Sequence, residues 1–402
     1  MSASGSVLVV GASAAGLATV EALRRGGHRG RVTVLGAEHA SPYDRPPLSK
    51  QILSGTWQPE RSRLRDDGEL AGLDAEFTLG DPAVGLDVAA RTVRTASGRT
   101  LRADTVVVAT GLEPRTFPGQ AGLKGVHVLR TLDDALALRS ALLAASCGVV
   151  VVGDGVLGAE IAATARTMGL PVTLVGPQPA PLAGQFGPLV AGSLADLHTA
   201  NGVGLRLGTP VTGLTAHREH VTGVRTAGGE VLPAGMVVVA MGAVPTTGWL
   251  AGSGLTLDDG LVCDARCRAA PGVYAVGDVA RWHHEGIGRS LRLENRSNAT
   301  EQALAVAADI LGDGRPYTPV PYAWTDQFDV KVQSHGFLGG DADVAVVEGD
   351  PAQVRFVALY GRGGVVTGVL GWNMPKQVRS YRRHVVSATP WHAFGPAGRQ
   401  AG

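Results

Sequence analysis

Four short runs of apolar residues, rich in valine, punctuate the chain: Val7-Leu8-Val9-Val10, Val106-Val107-Val108-Ala109, Val149-Val150-Val151-Val152 and Val237-Val238-Val239-Ala240. Such runs, without polar alternation and bounded by glycine, are the pattern of strands buried on both faces, as in parallel sheets. Two of them feed a glycine-rich turn and then a helix-like stretch of Ala, Leu and Ile. The first unit reads as strand 6–10, turn, helix about 14–26, then strand Arg31-Val32-Thr33-Val34-Leu35, ending near Glu38. The second reads as strand 149–152, turn, helix about 157–168, then strand Val172-Thr173-Leu174-Val175. The closing strands match as well, Val32-Thr33-Val34-Leu35-Gly36 against Val172-Thr173-Leu174-Val175-Gly176. The chain therefore carries an internal duplication of a βαβ unit, and two parallel sheets are expected.

The other two runs end alike. Ala109-Thr110-Gly111 is followed by Pro114, and Ala240-Met241-Gly242 by Pro245. Small residues after a buried strand let backbone approach a ligand or a crossing chain. Domain crossings are expected there, near 111 and 241. After about 317 the pattern changes to alternating strands, among them Val344-Ala345-Val346-Val347 and Arg355-Phe356-Val357-Ala358-Leu359-Tyr360. That is the pattern of a smaller antiparallel domain. The division that results is 1–111 with 241–317, then 112–240, then 318–402.

The two turns, Gly11-Ala12-Ser13-Ala14-Ala15-Gly16 and Gly153-Asp154-Gly155-Val156-Leu157-Gly158, are where chemistry enters. A glycine turn opening a helix aims backbone N–H groups and the positive helix end at a pyrophosphate. Ser13 replaces the middle glycine of the first copy and is small enough to keep close approach. Glu38, ending the second strand, can accept hydrogen bonds from ribose hydroxyls. The second copy keeps all three glycines, but Gly176-Pro177-Gln178-Pro179-Ala180-Pro181-Leu182 offers no carboxylate for a ribose 2′-hydroxyl. It offers no Arg or Lys for a 2′-phosphate either. Gln178, aligned with Glu38, can hydrogen-bond to either group. Two such sites in one chain point to two dinucleotides, a flavin and a nicotinamide.

Gly272-Val273-Tyr274-Ala275-Val276-Gly277-Asp278 ends a strand in Gly-Asp, where the carboxylate can accept from a ribityl chain. Pro42-Tyr43-Asp44-Arg45-Pro46-Pro47-Leu48-Ser49-Lys50 is a proline-stiffened loop whose cations Arg45 and Lys50 suit a pyrophosphate and a flavin edge. Both place FAD in the first site.

Composition excludes more than it selects. With 36 Lys and Arg against 35 Asp and Glu, the net charge of +1 gives no drive toward nucleic acid or an anionic membrane. The three cysteines, Cys147, Cys263 and Cys267, form neither a disulfide framework nor a CxxC pair. No apolar stretch reaches transmembrane length and the first strand starts by residue 6, so a cytoplasmic protein is expected.

With His127-Val128-Leu129-Arg130, Asn298-Ala299-Thr300-Glu301-Gln302 and Trp324-Thr325-Asp326-Gln327, these motifs resemble the FAD-dependent, NAD(P)H-using ferredoxin reductases of oxygenase systems over nearly the whole chain. The resemblance implies an α/β, glutathione-reductase-like fold. Two Rossmann-type domains would bind FAD (1–111 and 241–317) and NAD(P)H (112–240), and a C-terminal α+β domain (318–402) would form an interface. It implies FAD contacts from Ala15, Glu38, Lys50, Arg130 and Asp278, with Trp324 close to the isoalloxazine. Further cofactor contacts are expected from Gly11, Ser13, Ala14, Gly16, Arg45, Ala83, Ala109, Thr110 and Gly111, and from Gly277, Glu294, Asn295 and Arg296. On the nicotinamide side they are expected from Gly153, Gly155, Val156, Leu157, Gly158, Glu160 and Gly242.

Lys50 and Glu160 are the expected catalytic pair: a cation near the flavin favours the reduced ring and, if buried, needs a counter-charge. No CxxxxC stands near the N-terminus, which separates the chain from disulfide reductases of this fold. The implied activity carries electrons from NADH or NADPH through FAD, singly, to a 2Fe–2S ferredoxin serving a P450 or a non-haem oxygenase. The reductase would be a monomer or homodimer with no nucleic-acid or membrane partner. Two alternatives stand beside it: a flavoenzyme of the same fold acting directly on a small molecule, and a redox-controlled binding module. Arg296, where the family often carries Trp, Ala323, where an aromatic commonly precedes the Trp, and Gly176 depart from the pattern. Lys376, Arg379, Arg382 and Arg383, and separately Arg61, Arg63 and Arg65, are basic clusters suited to an acidic carrier.

Overall fold

The computed structural model describes residues 5–394. The chain divides into two compact units. The first comprises Met1–Arg45, Pro59–Glu113 and Ala243–Pro319; the second comprises Pro46–Gln58, Pro114–Gly242 and Val320–Gly402.

The first unit is built on a six-stranded sheet in the order Arg268–Ala270, Val273–Ala275, Thr105–Val108, Val7–Val10, Val32–Leu35, Glu76–Thr78. Val7–Val10 runs at the centre, parallel to both neighbours, with Val7 opposite Val32 on one side and Thr105 on the other. Its four residues are buried on both faces, which is why the run carries no polar alternation. Helices Ala14–Arg25 and Arg296–Leu311 pack against each other. Val9, Val20, Leu23, Val34, Val107 and Val306 form the centre of this core.

In the second unit the five-stranded sheet runs Val203–Arg206, Val172–Val175, Val149–Val152, Met236–Val239, Val126–His127, parallel throughout. The register repeats that of the first unit, with Val149 opposite Val172 and Met236. Helices Leu132–Ala144, Val156–Thr167 and Ala183–Ala200 belong to this unit, the last kinked at Gly187, just before Pro188. The C-terminal sheet is antiparallel, in the order Tyr322–Gln327, Val330–Gly336, Val365–Trp372, Arg355–Arg362, Asp343–Asp350, with helix Pro375–Val386 packed on it.

Residues 320–394 do not stand apart from the parallel sheet of their unit. Leu182, Phe186, Val190 and Leu194 share one core with Val332, Phe356 and Trp372, and Tyr360 donates to the Phe186 carbonyl at 2.7 Å. A sheet with one apolar face needs such a cover. Residues 46–58, which the sequence reading assigned to the first domain, count with the second unit. The cause is local: the wide turn Leu48–Ile52 packs on helix Val156–Thr167, and the Thr164 hydroxyl donates to the Ser49 carbonyl at 2.7 Å.

Candidate functional site

Each unit carries its own glycine turn, and the two are built by the same collisions. Gly11 has φ of +121°, and a Cβ on it would lie 2.2 Å from the Ala109 carbonyl oxygen. A Cβ on Gly16 would lie 1.8 Å from the Gly11 oxygen. In the second copy Gly153 has the same φ and meets the Ala240 oxygen at 2.1 Å, while Gly158 meets the Gly153 oxygen at 1.8 Å. The glycines let the turn close on the neighbouring strand and the helix close on the turn. Ser13 and Gly155 are the N-cap residues, and neither helix Ala14–Arg25 nor helix Val156–Thr167 is capped by a side chain. Their first-turn N–H groups, with the helix dipole behind them, suit an anion. Ala14, Ala15 and Gly16 form that turn in one unit; Val156, half-exposed Leu157 and Gly158 form it in the other.

In the first unit a cleft opens beside the turn, lined by Gly11, Ser13, Glu38, Arg45, Ala83, Ala109 and Thr110, together with Tyr43, Thr246 and Trp249. The Trp249 indole Nε1 is buried with no hydrogen-bond partner among the described residues, a donor left for a ligand in a cradle that a Cβ at Gly11 would fill. These features fit a dinucleotide. Glu38 is held, not free: Arg45 donates to its Oε1 at 2.6 Å and the Tyr43 hydroxyl donates to Oε2. Burial works against the Arg45 charge, but Tyr43, Glu38 and Asp278 outweigh it and raise its pKa. The cation expected to greet a pyrophosphate is thus bound to the acid expected to greet a ribose.

Gly277 and Asp278 lie in the short turn Gly277–Val279 after strand Val273–Ala275. Gly277 has φ of +74°, and a Cβ there would come within 2.9 Å of the Ala15 Cβ, so the Gly-Asp turn abuts the first glycine turn. Its N–H donates to Gln302 Oε1 at 2.7 Å, and Gln302 Nε2 donates to Cys267 Sγ at 3.2 Å. Gln302 is fully buried. Gln302→Leu is expected to strand the Gly277 N–H at a cost of about 1–3 kcal/mol. The purified variant should lose flavin on gel filtration, read as absorbance per protein; full retention would remove Gln302 from this role.

Thr110 donates through its hydroxyl to the Thr246 carbonyl at 2.8 Å, and the Gly111 carbonyl accepts from Thr246 N at 2.9 Å. Glu294 accepts from Arg292 at 2.7 Å, and Asn295 is the N-cap of helix Arg296–Leu311. Arg296, a departure from the family pattern, is held by its own neighbours. Its Nε donates to Asp44, and its Nη1 donates to the Thr300 hydroxyl at 2.7 Å.

In the second unit Lys50 and Glu160 meet, Nζ lying 2.7 Å from Oε2. The same Oε2 accepts from the Ser49 hydroxyl at 2.5 Å, and Oε1 accepts from the Thr325 hydroxyl at 2.8 Å. Gln327 Nε2 donates to Thr325 at 3.1 Å, and His198 Nε2 stands 2.8 Å from Gln327 Oε1. Burial pushes the His198 pKa down, so the ring is neutral and can donate through Nε2 to the amide oxygen. One buried chain of polar groups therefore joins three other elements, the turn Leu48–Ile52, the strand Tyr322–Gln327 and the helix Ala183–Ala200, to the Glu160 carboxylate. Trp324, on the strand of Thr325, is half-buried and stacks on Tyr322 at 5.7 Å. Arg130 precedes helix Leu132–Ala144, and its backbone N–H donates to Asp134 Oδ2 at 3.0 Å. Gly242, with φ of +88°, accepts from Arg115 N at 3.0 Å.

Sequence reasoning left Tyr43, Thr246, Trp249 and Gln302 without a role. Tyr43 and Gln302 lie inside quoted motifs, and that was their signal; Thr246 and Trp249 have no local one. Cys263 and Cys267 are buried thiols outside any disulfide, and burial pushes Cys267 up to about 12. Among the described residues no His, Cys, Asp and Glu cluster could hold a metal ion, and no helix is long and apolar enough to cross a membrane.

In the basic cluster of Arg61, Arg63 and Arg65, two of the three arginines are ion-paired. Arg65 pairs with Glu21 at 2.8 Å and Arg63 with Asp67 at 3.9 Å. Lys376, Arg379, Arg382 and Arg383 are exposed on helix Pro375–Val386.

Residues 5–303 match the family model for pyridine nucleotide-disulphide oxidoreductases, and residues 322–393 match that for the reductase C-terminal domain. Rhodocoxin reductase of Rhodococcus erythropolis is 34% identical over 388 residues, covering 96% of this chain and 90% of the relative. The crystal structure of the ferredoxin reductase for the CYP199A2 system from Rhodopseudomonas palustris superposes with a TM-score of 0.91 at 32% identity, covering 96% of this chain and 95% of that one. The reductase in the covalent putidaredoxin reductase–putidaredoxin complex does so with a TM-score of 0.90 at 31% identity, covering 96% and 94%.

Proposed function

We propose that this chain, which belongs to the pyridine nucleotide-disulphide oxidoreductase family, passes electrons from NADH or NADPH through FAD to a 2Fe–2S ferredoxin that serves an oxygenase. The observation that carries this reading is the pair of glycine turns, built alike and each opening an uncapped helix. The relatives named above are reductases of small redox carriers, one of them joined to its carrier. FAD, when bound, supplies the exchange between a two-electron donor and a one-electron acceptor.

The residues supply placement and field. Gly11, Ser13 and the N–H groups of Ala14, Ala15 and Gly16 hold the FAD pyrophosphate. Glu38, oriented by Arg45 and Tyr43, takes a ribose, and Gly277 with Asp278 takes the ribityl chain. Gly153, Gly155 and Gly158 hold the nicotinamide nucleotide. Lys50 provides a cation for the flavin edge, and Glu160 balances it and faces the nicotinamide. In domain terms, the first unit is the FAD domain, residues 114–242 the nicotinamide domain, and the C-terminal sheet with its basic helix the carrier's docking face. We place the reaction in the cytoplasm, with the reductase a monomer or homodimer.

Anaerobic titration of the yellow protein with NADH and NADPH separately is the test. Bleaching by at least one, followed by ferredoxin reduction, is expected. If neither bleaches the flavin, electron donation by a nicotinamide fails. Turnover of an organic substrate without a carrier would favour the direct flavoenzyme instead.

The exposed cations on helix Pro375–Val386 make a further prediction. Arg379→Glu with Arg382→Glu should slow ferredoxin reduction about tenfold at low salt and flatten its salt dependence. Ferricyanide reduction should be unchanged. Equal rates for the variant and the wild type would move the docking face elsewhere.

A further inference from the structure

We propose that Asp154 selects the nicotinamide nucleotide, favouring NADH over NADPH, a role that rests on reading the second glycine turn as the nucleotide site. The segment after strand Val172–Val175 lacks the acid that the first copy carries as Glu38, and the structure shows a carboxylate reaching that place from the other side. In the first copy the residue after the leading glycine is Ala12, and a Cβ on Gly36 would lie 2.8 Å from the Ala12 Cβ. In the second copy the same position is Asp154, and a Cβ on Gly176 would lie 2.2 Å from its Oδ2. Both turns therefore press this side chain against the end of the second strand, where glycine leaves room. The pair Ala12 and Glu38 has become the pair Asp154 and Gln178: the acid has moved from the loop to the turn.

The carboxylate is fixed. Asp154 is only 4% exposed. Its Oδ2 accepts the Gln178 N–H at 2.7 Å and its Oδ1 accepts Gln178 Nε2 at 2.8 Å. Gln178 Oε1 in turn accepts the Gly184 N–H at 2.6 Å, so the carboxamide has one orientation. Residues 176–182 contain no Lys or Arg. An anionic 2′-phosphate brought to this strand end would meet a buried carboxylate with no cation in the loop to offset it, whereas a 2′-hydroxyl brings no charge. The cation on the neighbouring strand is Arg206, paired in register with Val175; its Nη1 donates to the Leu205 carbonyl at 3.3 Å, and it is exposed. If Arg206 governed the site, the preference would run toward NADPH.

The test is calorimetric binding of NAD+ and NADP+ to the flavin-loaded protein, with kcat/KM for NADH and NADPH beside it. The wild type is expected to bind NAD+ at least tenfold more tightly. Asp154→Asn should lower that ratio at least fivefold by strengthening NADP+ binding. Asp154→Ala combined with Gln178→Glu rebuilds the first copy's arrangement and should restore the ratio, which also guards against a single variant that folds poorly. Equal affinities in the wild type, a preference for NADP+, or a ratio unmoved by Asp154→Asn would overturn the role of Asp154 alone. Binding of neither nucleotide would overturn the nucleotide-site reading and this proposal with it.

Discussion

Glu160→Gln is expected to slow reduction of the flavin by NADH at least tenfold and to lower the melting temperature by several degrees. The carboxylate sits with its side chain 6% exposed against a Lys50 side chain 13% exposed. Removing one member of such a pair leaves the other charge in low dielectric, at a cost of about 3–5 kcal/mol. Partial access of water to Lys50 argues for the lower end of that range. Thr325 and Ser49 also lose an ionised acceptor, so the effect extends to the strand that carries Trp324. Lys50→Met should act in the same direction. The double variant Lys50→Met with Glu160→Leu separates structure from chemistry. Replacing a buried pair by apolar side chains of similar size is often neutral, so the melting temperature should recover while reduction stays slow. Recovery of both would make the pair a structural element only.

The second large effect comes from the glycine turns and should be a crossover. A Cβ at Gly16 or at Gly158 would stand 1.8 Å from a backbone oxygen of its own turn, which cannot yield without opening the turn. Gly16→Ala is expected to give a protein that carries little flavin after purification. Gly158→Ala should keep its flavin and lose bleaching by NADH. Overpacking of this kind costs about 1–3 kcal/mol even where the backbone relaxes, so both variants should also melt earlier. Flavin absorbance per protein and the bleaching rate read the two outcomes separately. Stoichiometric flavin in Gly16→Ala would contradict the assignment of the first turn, and wild-type bleaching in Gly158→Ala that of the second.

Much of the fold is written locally. The strands Val7–Val10 and Val149–Val152 and the helices beginning at Ala14 and Val156 lie within about one residue of the pattern's expectation. Burial on both faces leaves a continuous apolar run, and a tight turn demands glycine at particular positions, so both leave marks in a short window. The antiparallel strands Asp343–Asp350 and Arg355–Arg362 also contain the apolar runs of 344–347 and 356–360, but they extend two or three residues beyond them.

What the sequence by itself determined was the duplicated strand–turn–helix unit, the residue types at each turn, and the family that they resemble. The tertiary structure alone decided who partners whom. Arg45 went to Glu38 and Arg296 to Asp44, so two cations expected to face a cofactor are held by acids. Trp249 and Thr246, with no signal of their own, came to line the first cleft. The carboxylate missing after Val175 arrived from Asp154, twenty-four residues upstream of the amide that it holds. Periodicity records which way a side chain faces its own backbone. An ion pair or a filled space depends on which distant segment the fold brings opposite, and that is settled only when the strands take their order and register.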